Sequence, residues 1–299
     1  MNIIDIKNLS YEFTKGIKVL DDVNLGIPKG SVFGFLGPNG AGKTTTLRLI
    51  LGLLNIQSGS VNVFGKEFSG NRNEILSRTG SLIESPSFYP HLTAYENMTV
   101  YRHLYGSSET DLMNALETVK LTGVKDKKVG TYSLGMKQRL AIAIAIQHRP
   151  ELLILDEPGN GLDPQGIIEM RELIKSLSAD SGSTILVSSH ILSEVEKFAT
   201  HTAIINKGKI IFQGSVSELD LLKSDDVTLI VRTEDNQKAV SLIEKLHKCK
   251  IEEGEIFIMC TDKTRSAEIN KMLLNNGVVV SEIYYRKNTL ENLFIELTS

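Results

Sequence analysis

The chain has 299 residues, of which 41% are hydrophobic, and a formal net charge of −3. This composition predicts one large or two modest globular domains, and the charge gives no reason to expect a nucleic-acid partner or an anionic membrane surface. Cys249 and Cys260 belong to no CxxC or Cys/His cluster, so we expect a reducing compartment without a disulfide or zinc site. The charged N-terminus and the lack of an apolar run near about 20 residues predict a soluble chain without signal peptide or membrane span.

Strands and helices alternate along much of the chain. Period-two apolar positions predict an antiparallel pair at 2–9 and about 17–27, with Phe13 in the turn region between the strands. Further strands are predicted at 31–36, 61–65, 81–84, 152–155, 183–188, 202–206 and 209–214. Helices are predicted at 45–54, 93–104, 109–121, 133–147, 164–178 and 191–198. The alternation favours a mostly parallel α/β sheet covered on both faces, interrupted by a helical subdomain at about 85–148.

One glycine-rich segment carries the strongest chemical signal. It fits G-x-x-x-x-G-K-[ST], the phosphate-binding loop, between a predicted strand and a predicted helix. Glycines let the backbone curl its N–H groups around phosphate oxygens; Lys43 can place a charge between the β- and γ-phosphates, and the Thr44 hydroxyl can bind Mg²⁺. The expected contacts to a nucleoside triphosphate are Gly37, Pro38, Asn39, Gly40, Ala41, Gly42, Lys43, Thr44 and Thr45.

Two acids, Asp156 and Glu157, follow the continuous apolar stretch Leu152–Leu155. Such a stretch is typical of a strand buried in a parallel sheet, and ligands of these sheets bind at the carboxyl ends of the strands. We expect Asp156 to hold Mg²⁺ through a water and Glu157 to polarise the attacking water. The alternative is a strand that ends at a solvated acidic turn.

Ser133 and Gly135 stand at the start of the helix predicted at 133–147. A hydroxyl and an unobstructed backbone N–H at a helix N-terminus can bind an anion without a lysine. A serine there is usually only a helix cap, but this one shortly precedes the strand that ends in Asp156 and Glu157.

With these motifs in this order, the chain resembles the ATP-binding subunit of ABC transporters over about residues 1–215. Tyr132–Met136 takes the place of the family signature LSGGQ, with departures at its third and fifth residues. The resemblance implies a D-loop that includes Asp163, a switch histidine at His190, and an adenine-stacking aromatic at Phe13. It also implies a P-loop NTPase fold with antiparallel and helical subdomains, ATP and Mg²⁺ as ligands, and catalytic roles for Glu157, His190 and Lys43.

Glu84 is the main departure, because the family usually has glutamine at this position. A glutamate there resembles the subgroup that exports lantibiotics and bacitracin. Since a carboxylate binds a hard cation better than an amide does, Glu84 is a candidate Mg²⁺ ligand. The alternative is that it faces solvent or a partner and has no metal role.

The pattern changes past about residue 219. Strands are predicted at 227–232, 256–260 and 278–284, and helices at 237–246, 266–274 and 288–297. We therefore expect an ATP-binding domain at 1–218 and a small C-terminal α+β accessory domain at 219–299, similar to that of the same exporter subgroup. Whether this domain regulates, dimerises or does neither stays open.

The resemblance also implies partners. Two copies would pair head to tail, so that each ATP lies between the phosphate loop of one copy and the Ser133 helix of the other. The segment 84–90 would contact a membrane permease, which would hold the protein at the cytoplasmic face of the cell membrane. The alternatives are another amphiphile or a drug as cargo, a soluble ABC-type ATPase of translation or DNA repair, and a GTPase or kinase. Tandem domains, long coiled coils and N-K-x-D, which would favour the last two classes, are absent from the sequence.

Overall fold

The computed structural model describes residues 1–84, 87–222, 227–244, 246–252, 254–260 and 265–286. The helix expected at 288–297 lies outside this part of the chain. The chain forms two compact units, Met1–Val216 and Ser217–Leu297, where the sequence suggested 1–218 and 219–299. Every helix within the described ranges is too short or too polar to cross a bilayer.

The first unit contains ten strands and seven α-helices in its described part. The strands are β1 (Asn2–Thr14), β2 (Ile17–Pro28), β3 (Val32–Leu36), β4 (Ser58–Val63), β5 (Lys66–Glu67), β6 (Thr79–Leu82), β7 (Leu152–Asp156), β8 (Thr184–Ser189), β9 (His201–Asn206) and β10 (Lys209–Ser215). The helices are α1 (Lys43–Ile50), α2 (Arg72–Ser77), α3 (Ala94–Tyr105), α4 (Glu109–Thr118), α5 (Leu134–Ile146), α6 (Pro164–Ser181) and α7 (Leu192–Val195).

A six-stranded sheet lies at the centre of the first unit, in the order β10-β9-β3-β8-β7-β6. All neighbours are parallel except β10 and β9. On β7, Leu152 and Ile154 pack into the core on one face, whereas Leu153 and Leu155 pack into the core on the other. This two-sided burial explains the continuous apolar run. The parallel arrangement brings the carboxyl ends of β3, β7 and β8 to one edge, where their following segments meet.

A second, antiparallel sheet has the order β2-β1-β4-β5. Its first strand is longer than expected, because pairing between β1 and β2 continues to Thr14 and Ile17. Phe13 therefore lies within β1 and not in the turn, which corrects the expectation from the sequence. The end of β1 is set by its hydrogen bonds to β2, and the sequence of one strand alone does not show how far such pairing extends.

Helices α3 and α4 begin with capping boxes. Thr93 and Glu96 exchange side-chain and backbone hydrogen bonds at the start of α3, as the sequence predicted. Ser108 and Asp111 do the same at the start of α4. The second helix is shorter than predicted and ends at Thr118, because Lys120 takes a left-handed φ of 59° that a continuing helix does not allow.

The second unit contains α8 (Val216–Leu221), which begins at its boundary, and then alternates as β-α-β-β-α-β. Its further elements are β11 (Val227–Thr233), α9 (Asn236–Ile243), β12 (Cys249–Glu252), β13 (Glu255–Cys260), α10 (Arg265–Asn275) and β14 (Val280–Arg286). The sheet order is β12-β13-β11-β14, and all neighbours are antiparallel. This is a ferredoxin-like arrangement. The predicted β-α-β-α-β order was wrong because it missed β12.

Candidate nucleotide site

The phosphate-binding loop joins the end of β3 to the start of α1. Gly40 and Gly42 have φ angles of 79° and 111°, which side-chain-bearing residues rarely adopt. A Cβ at Gly42 would lie 2.6 Å from Leu20 Cδ2, so the loop has no room for one. Gly42 is also the N-cap of α1, and no side chain caps this helix. The first N–H groups of α1 are therefore free to bind an anion.

Neighbouring strands hold the loop in place. The Gly37 N–H donates to Ser189 O at the end of β8, 3.3 Å away, and Ala41 N–H donates to Pro38 O within the loop, 3.2 Å away. Ala41 O in turn accepts from the Gly208 N–H of the β9–β10 turn at 3.0 Å. The curled backbone is thus fixed by hydrogen bonds before any ligand contact is considered.

Lys43 lies over the loop with only 6% of its side chain exposed. Its Nζ donates to Gly37 O at 2.7 Å and to Pro38 O at 3.3 Å. The same Nζ lies 3.2 Å from Glu157 Oε1. The structure therefore brings the predicted loop lysine and the predicted catalytic acid together.

Thr44 and Asp156 form the part of the site that suits Mg²⁺. The Thr44 hydroxyl donates to Asp156 Oδ2 over 2.9 Å, and Asp156 is buried. No group of three or more His, Cys, Asp or Glu residues in the described part of the chain could hold a metal by itself. Mg²⁺ usually takes one or two protein oxygens and completes its shell with water and substrate phosphate, so this pair of oxygens fits the ion.

Glu157 and His190 are in direct contact, as His190 Nδ1 lies 2.9 Å from Glu157 Oε2. Glu157 has a left-handed φ of 48°, a conformation that costs a residue other than glycine about 1–2 kcal/mol. This turn of the backbone directs the carboxylate to Lys43 on one side and His190 on the other. The three residues predicted to be catalytic thus form one cluster.

The residues of the signature segment form a separate surface. Ser133 is the N-cap of α5 and accepts from the Met136 N–H at 3.3 Å, while Asp163 caps α6 and accepts from the Gly166 N–H at 2.9 Å. A Cβ at Gly135 would lie 3.6 Å from Leu162, so the two helix starts are neighbours.

Within the described ranges, no hydrogen bond or ion pair joins Ser133, Gly135 or Asp163 to the loop Gly37–Thr45. One copy of the chain therefore does not bring all the predicted residues into contact.

Phe13 and Glu84 lie at the edges of this site. Phe13 is 58% exposed, and its ring meets that of Tyr11 edge to face with centroids 5.0 Å apart. Glu84 has a φ of 60° and forms an ion pair with Arg48 of α1. The structure joins Glu84 to this arginine and not to the Thr44–Asp156 pair.

Sequence reasoning missed three residues that support the site. Ser188 bonds to both acids at the end of β7, Arg48 pairs with Glu84, and Asn97 holds the segment that follows Glu84. A signal existed for Ser188, since a polar residue in a strand buried on both faces requires a hydrogen-bonding partner.

Comparison with known proteins identifies the family. An ABC transporter family model matches residues 20–160. The chain is 42% identical to the bacitracin transport ATP-binding protein BcrA of Bacillus licheniformis over 284 aligned residues. This alignment covers 94% of the chain and 92% of the relative. The chain belongs to the family of ABC transporter ATP-binding proteins. It is also 46% identical over 211 residues to the lantibiotic transport ATP-binding protein SrtF of Streptococcus pyogenes, over 71% of this chain and 90% of the relative.

Solved structures agree with the P-loop NTPase fold of this ABC protein. One, described as the ATP-binding subunit of an ABC transporter, matches 73% of this chain and 92% of its own at 28% identity and a TM-score of 0.65. Another, cbiO1 of Clostridium perfringens, matches 74% and 91% at 27% identity and a TM-score of 0.68. The α/β fold and the ATPase class predicted from the sequence are therefore confirmed.

Proposed function

We propose that this ABC ATPase powers the export of bacitracin-like or lantibiotic-like antimicrobial peptides and thereby protects the cell. The observation that carries the proposal is the extent of the similarity to BcrA. The relative from Enterococcus faecalis is 39% identical over 300 residues, which cover 99% of this chain and 96% of the relative. The similarity thus includes the second unit, for which we propose the role of an accessory domain beside an ATP-binding first unit.

The reaction is attack of water on the γ-phosphate of ATP, which yields ADP and phosphate. Glu157 accepts a hydrogen bond from the attacking water and withdraws its proton, while His190 orients the carboxylate through their 2.9 Å contact. Lys43 balances negative charge on the phosphate oxygens. Mg²⁺, held through Thr44 and Asp156, would neutralise further phosphate charge. Phe13 is exposed and free to stack on adenine.

The working ATPase is a head-to-tail homodimer in this proposal. Ser133, Gly135 and Asp163 have no bond to the phosphate-binding loop within the described part of one chain, so a second copy would supply them to each ATP. A two-fold axis repeats the arrangement and builds two equal sites. ATP closes the pair because it contacts both copies only in the closed state.

A permease contact at the cytoplasmic face of the membrane completes the proposal. Three apolar side chains exposed on the helical region are Tyr89 at 51%, and Val100 at 44% and Leu104 at 75% on α3. Asn97 joins Tyr89 to α3, which carries the other two residues. Exposed apolar side chains of this kind are compatible with a protein partner on this part of the surface.

The cargo can be tested in cells. The chain is expressed with the membrane-protein genes that neighbour its own gene in a bacterium sensitive to bacitracin and lantibiotics, and inhibitory concentrations are measured. We expect a several-fold rise for at least one peptide class, no rise with Glu157→Gln, and an unchanged rise with Glu172→Gln on the exposed side of α6.

Peptide export is contradicted if cells with the wild type and cells with Glu157→Gln are equally sensitive to the peptides while the purified wild-type chain hydrolyses ATP. A rise confined to a non-peptide amphiphile contradicts the peptide cargo and favours the alternative one.

A further inference from the structure

Ser188 is a fully buried residue near the end of β8, directly opposite Asp156 of β7 in the parallel register. Its hydroxyl accepts from the Glu157 N–H at 2.9 Å and also bonds to Asp156 Oδ1. A backbone N–H can only donate, so the single proton of the hydroxyl is directed to the Asp156 carboxylate. One side chain therefore joins both predicted acids.

These bonds fix the direction of both acids. With Oδ1 of Asp156 occupied by Ser188, Oδ2 is the oxygen that faces the Thr44 hydroxyl. The Glu157 N–H is held by both the hydroxyl and the carbonyl oxygen of Ser188, at 2.9 and 3.2 Å. This anchors Glu157 in the left-handed conformation from which its carboxylate reaches Lys43 and His190.

We propose that Ser188 is a positioning residue for ATP hydrolysis, which holds Asp156 and Glu157 as one unit. The inference rests on the roles proposed above for those two acids. Ser189, the next residue, does a different task, because its hydroxyl accepts from the Ile191 N–H at 3.0 Å. The hydroxyl at position 188 alone bonds to both acids among the described residues.

A matched pair of variants tests the hydroxyl itself. Ser188→Thr keeps the hydroxyl and adds a methyl group. Ser188→Val has a methyl group where Thr has its hydroxyl, and the two side chains have nearly equal volumes. Both variants therefore change the packing alike and differ in the hydroxyl. Removing a group that orients metal ligands typically costs about 10–100-fold in activity or metal affinity. We expect kcat of the full chain to fall about 10–100-fold in Ser188→Val and to stay near the wild type in Ser188→Thr.

Calorimetry gives a second readout that does not depend on turnover. We expect the gain in ATP affinity on adding Mg²⁺ to shrink in Ser188→Val, while ATP affinity in EDTA and the thermal midpoint match those of Ser188→Thr. A double-mutant cycle with Glu157→Gln completes the test. Because part of the effect of Ser188 passes through the Glu157 carboxylate, its loss should lower turnover by a smaller factor in that background than in the wild type.

Equal kcat and equal Mg²⁺ dependence in the Val and Thr variants overturn the inference, and so does a loss in Ser188→Val that is undiminished in the Glu157→Gln background. Glu157→Gln alone separates the two possible failures. If it loses turnover while Ser188→Val keeps it, only the positioning role fails. If Glu157→Gln keeps wild-type turnover, the proposed role of Glu157 fails, and the inference fails with it.

Discussion

Arg48 and Glu84 form an ion pair between α1, which follows the phosphate-binding loop, and the segment that leads from β6 toward α3. Glu84 has 60% of its side chain exposed, and exposed pairs contribute only about 0–1 kcal/mol. Breaking this ion pair therefore costs little free energy. For this reason, the observed contact with Arg48 does not oppose the metal role that the sequence predicts for Glu84.

We predict that Glu84→Gln keeps ATP affinity but raises the Mg²⁺ concentration for half-maximal ATPase several-fold, because an amide is a weaker ligand than a carboxylate. Titrations of activity with Mg²⁺ and Mn²⁺ measure the change. Glu74→Gln is the control, since Glu74 is also an exposed, ion-paired acid, bonded to Lys66. Wild-type dependence on both metals, with wild-type peptide protection, contradicts a metal role for Glu84.

The sequence predicted those parts of the candidate site whose residues are contiguous in the chain. The conformation of the phosphate-binding loop depends on its own residues, because its glycines allow the curled backbone and α1 begins at Lys43. The bonds of Ser188 to Asp156 and of Arg48 to Glu84 join residues 32 and 36 positions apart. Such pairs depend on which strands are neighbours, and sequence patterns do not define that order.

At the scale of elements, Asn97 of α3 holds the segment that follows Glu84. Asn97 is fully buried; its Oδ1 accepts from the Tyr89 N–H at 2.9 Å, and its Nδ2 donates to Tyr89 O at 3.1 Å. Tyr101 adds a longer bond from its hydroxyl to Ser87 O at 3.3 Å. The segment and α3 are thus fastened together beside the exposed apolar side chains proposed to meet the permease.

We predict that Asn97→Ala uncouples ATP hydrolysis from peptide protection. The variant leaves the polar backbone groups of Tyr89 without their partner, which costs about 1–3 kcal/mol and loosens the segment. ATPase of the purified chain should stay within a few-fold of the wild type, because Asn97 has no bond to Lys43, Glu157 or His190 in the described part of the chain.

Inhibitory concentrations of the peptides should fall to those of cells without the chain. Asn114→Ala on the exposed side of α4 is the control. Full protection by Asn97→Ala, at equal protein level, contradicts the coupling role.

Burial explains which elements the sequence predicted. Strands β3 and β7 are buried along their whole length, so their apolar runs are continuous and were recognised. Strand β12 is at the edge of its sheet and pairs only with β13. Its four residues alternate between apolar and polar, but Lys250, Ile251 and Glu252 are all exposed, so this short alternation does not mark a buried face as it does in longer strands. Helix α2 has six residues, too few for a helical periodicity to show.

At the scale of the whole molecule, the predicted ATP contacts fall on two surfaces of one chain. The phosphate-binding loop, Glu157 and His190 form one, and the starts of α5 and α6 form the other. A two-fold axis that faces these surfaces toward each other builds two complete sites from two incomplete ones. Each active site would then need residues from both copies. Mixing two inactive variants with defects on different surfaces tests this property.

We predict that Lys43→Ala and Ser133→Ala are each inactive alone but recover activity when mixed. In a hybrid, one site receives both defects, and the other combines an intact loop with an intact Ser133. Random pairing at equal amounts gives hybrids in half of the dimers, so about one quarter of all sites should work. Lys43→Ala mixed with the double variant is the control, because no site in that mixture has an intact loop. Absence of recovery in the complementary mixture contradicts a shared site, because a hybrid with shared sites would contain one site with all its groups intact. Full wild-type turnover where sedimentation shows only monomers also contradicts it, because one chain would then hold every group that ATP hydrolysis uses.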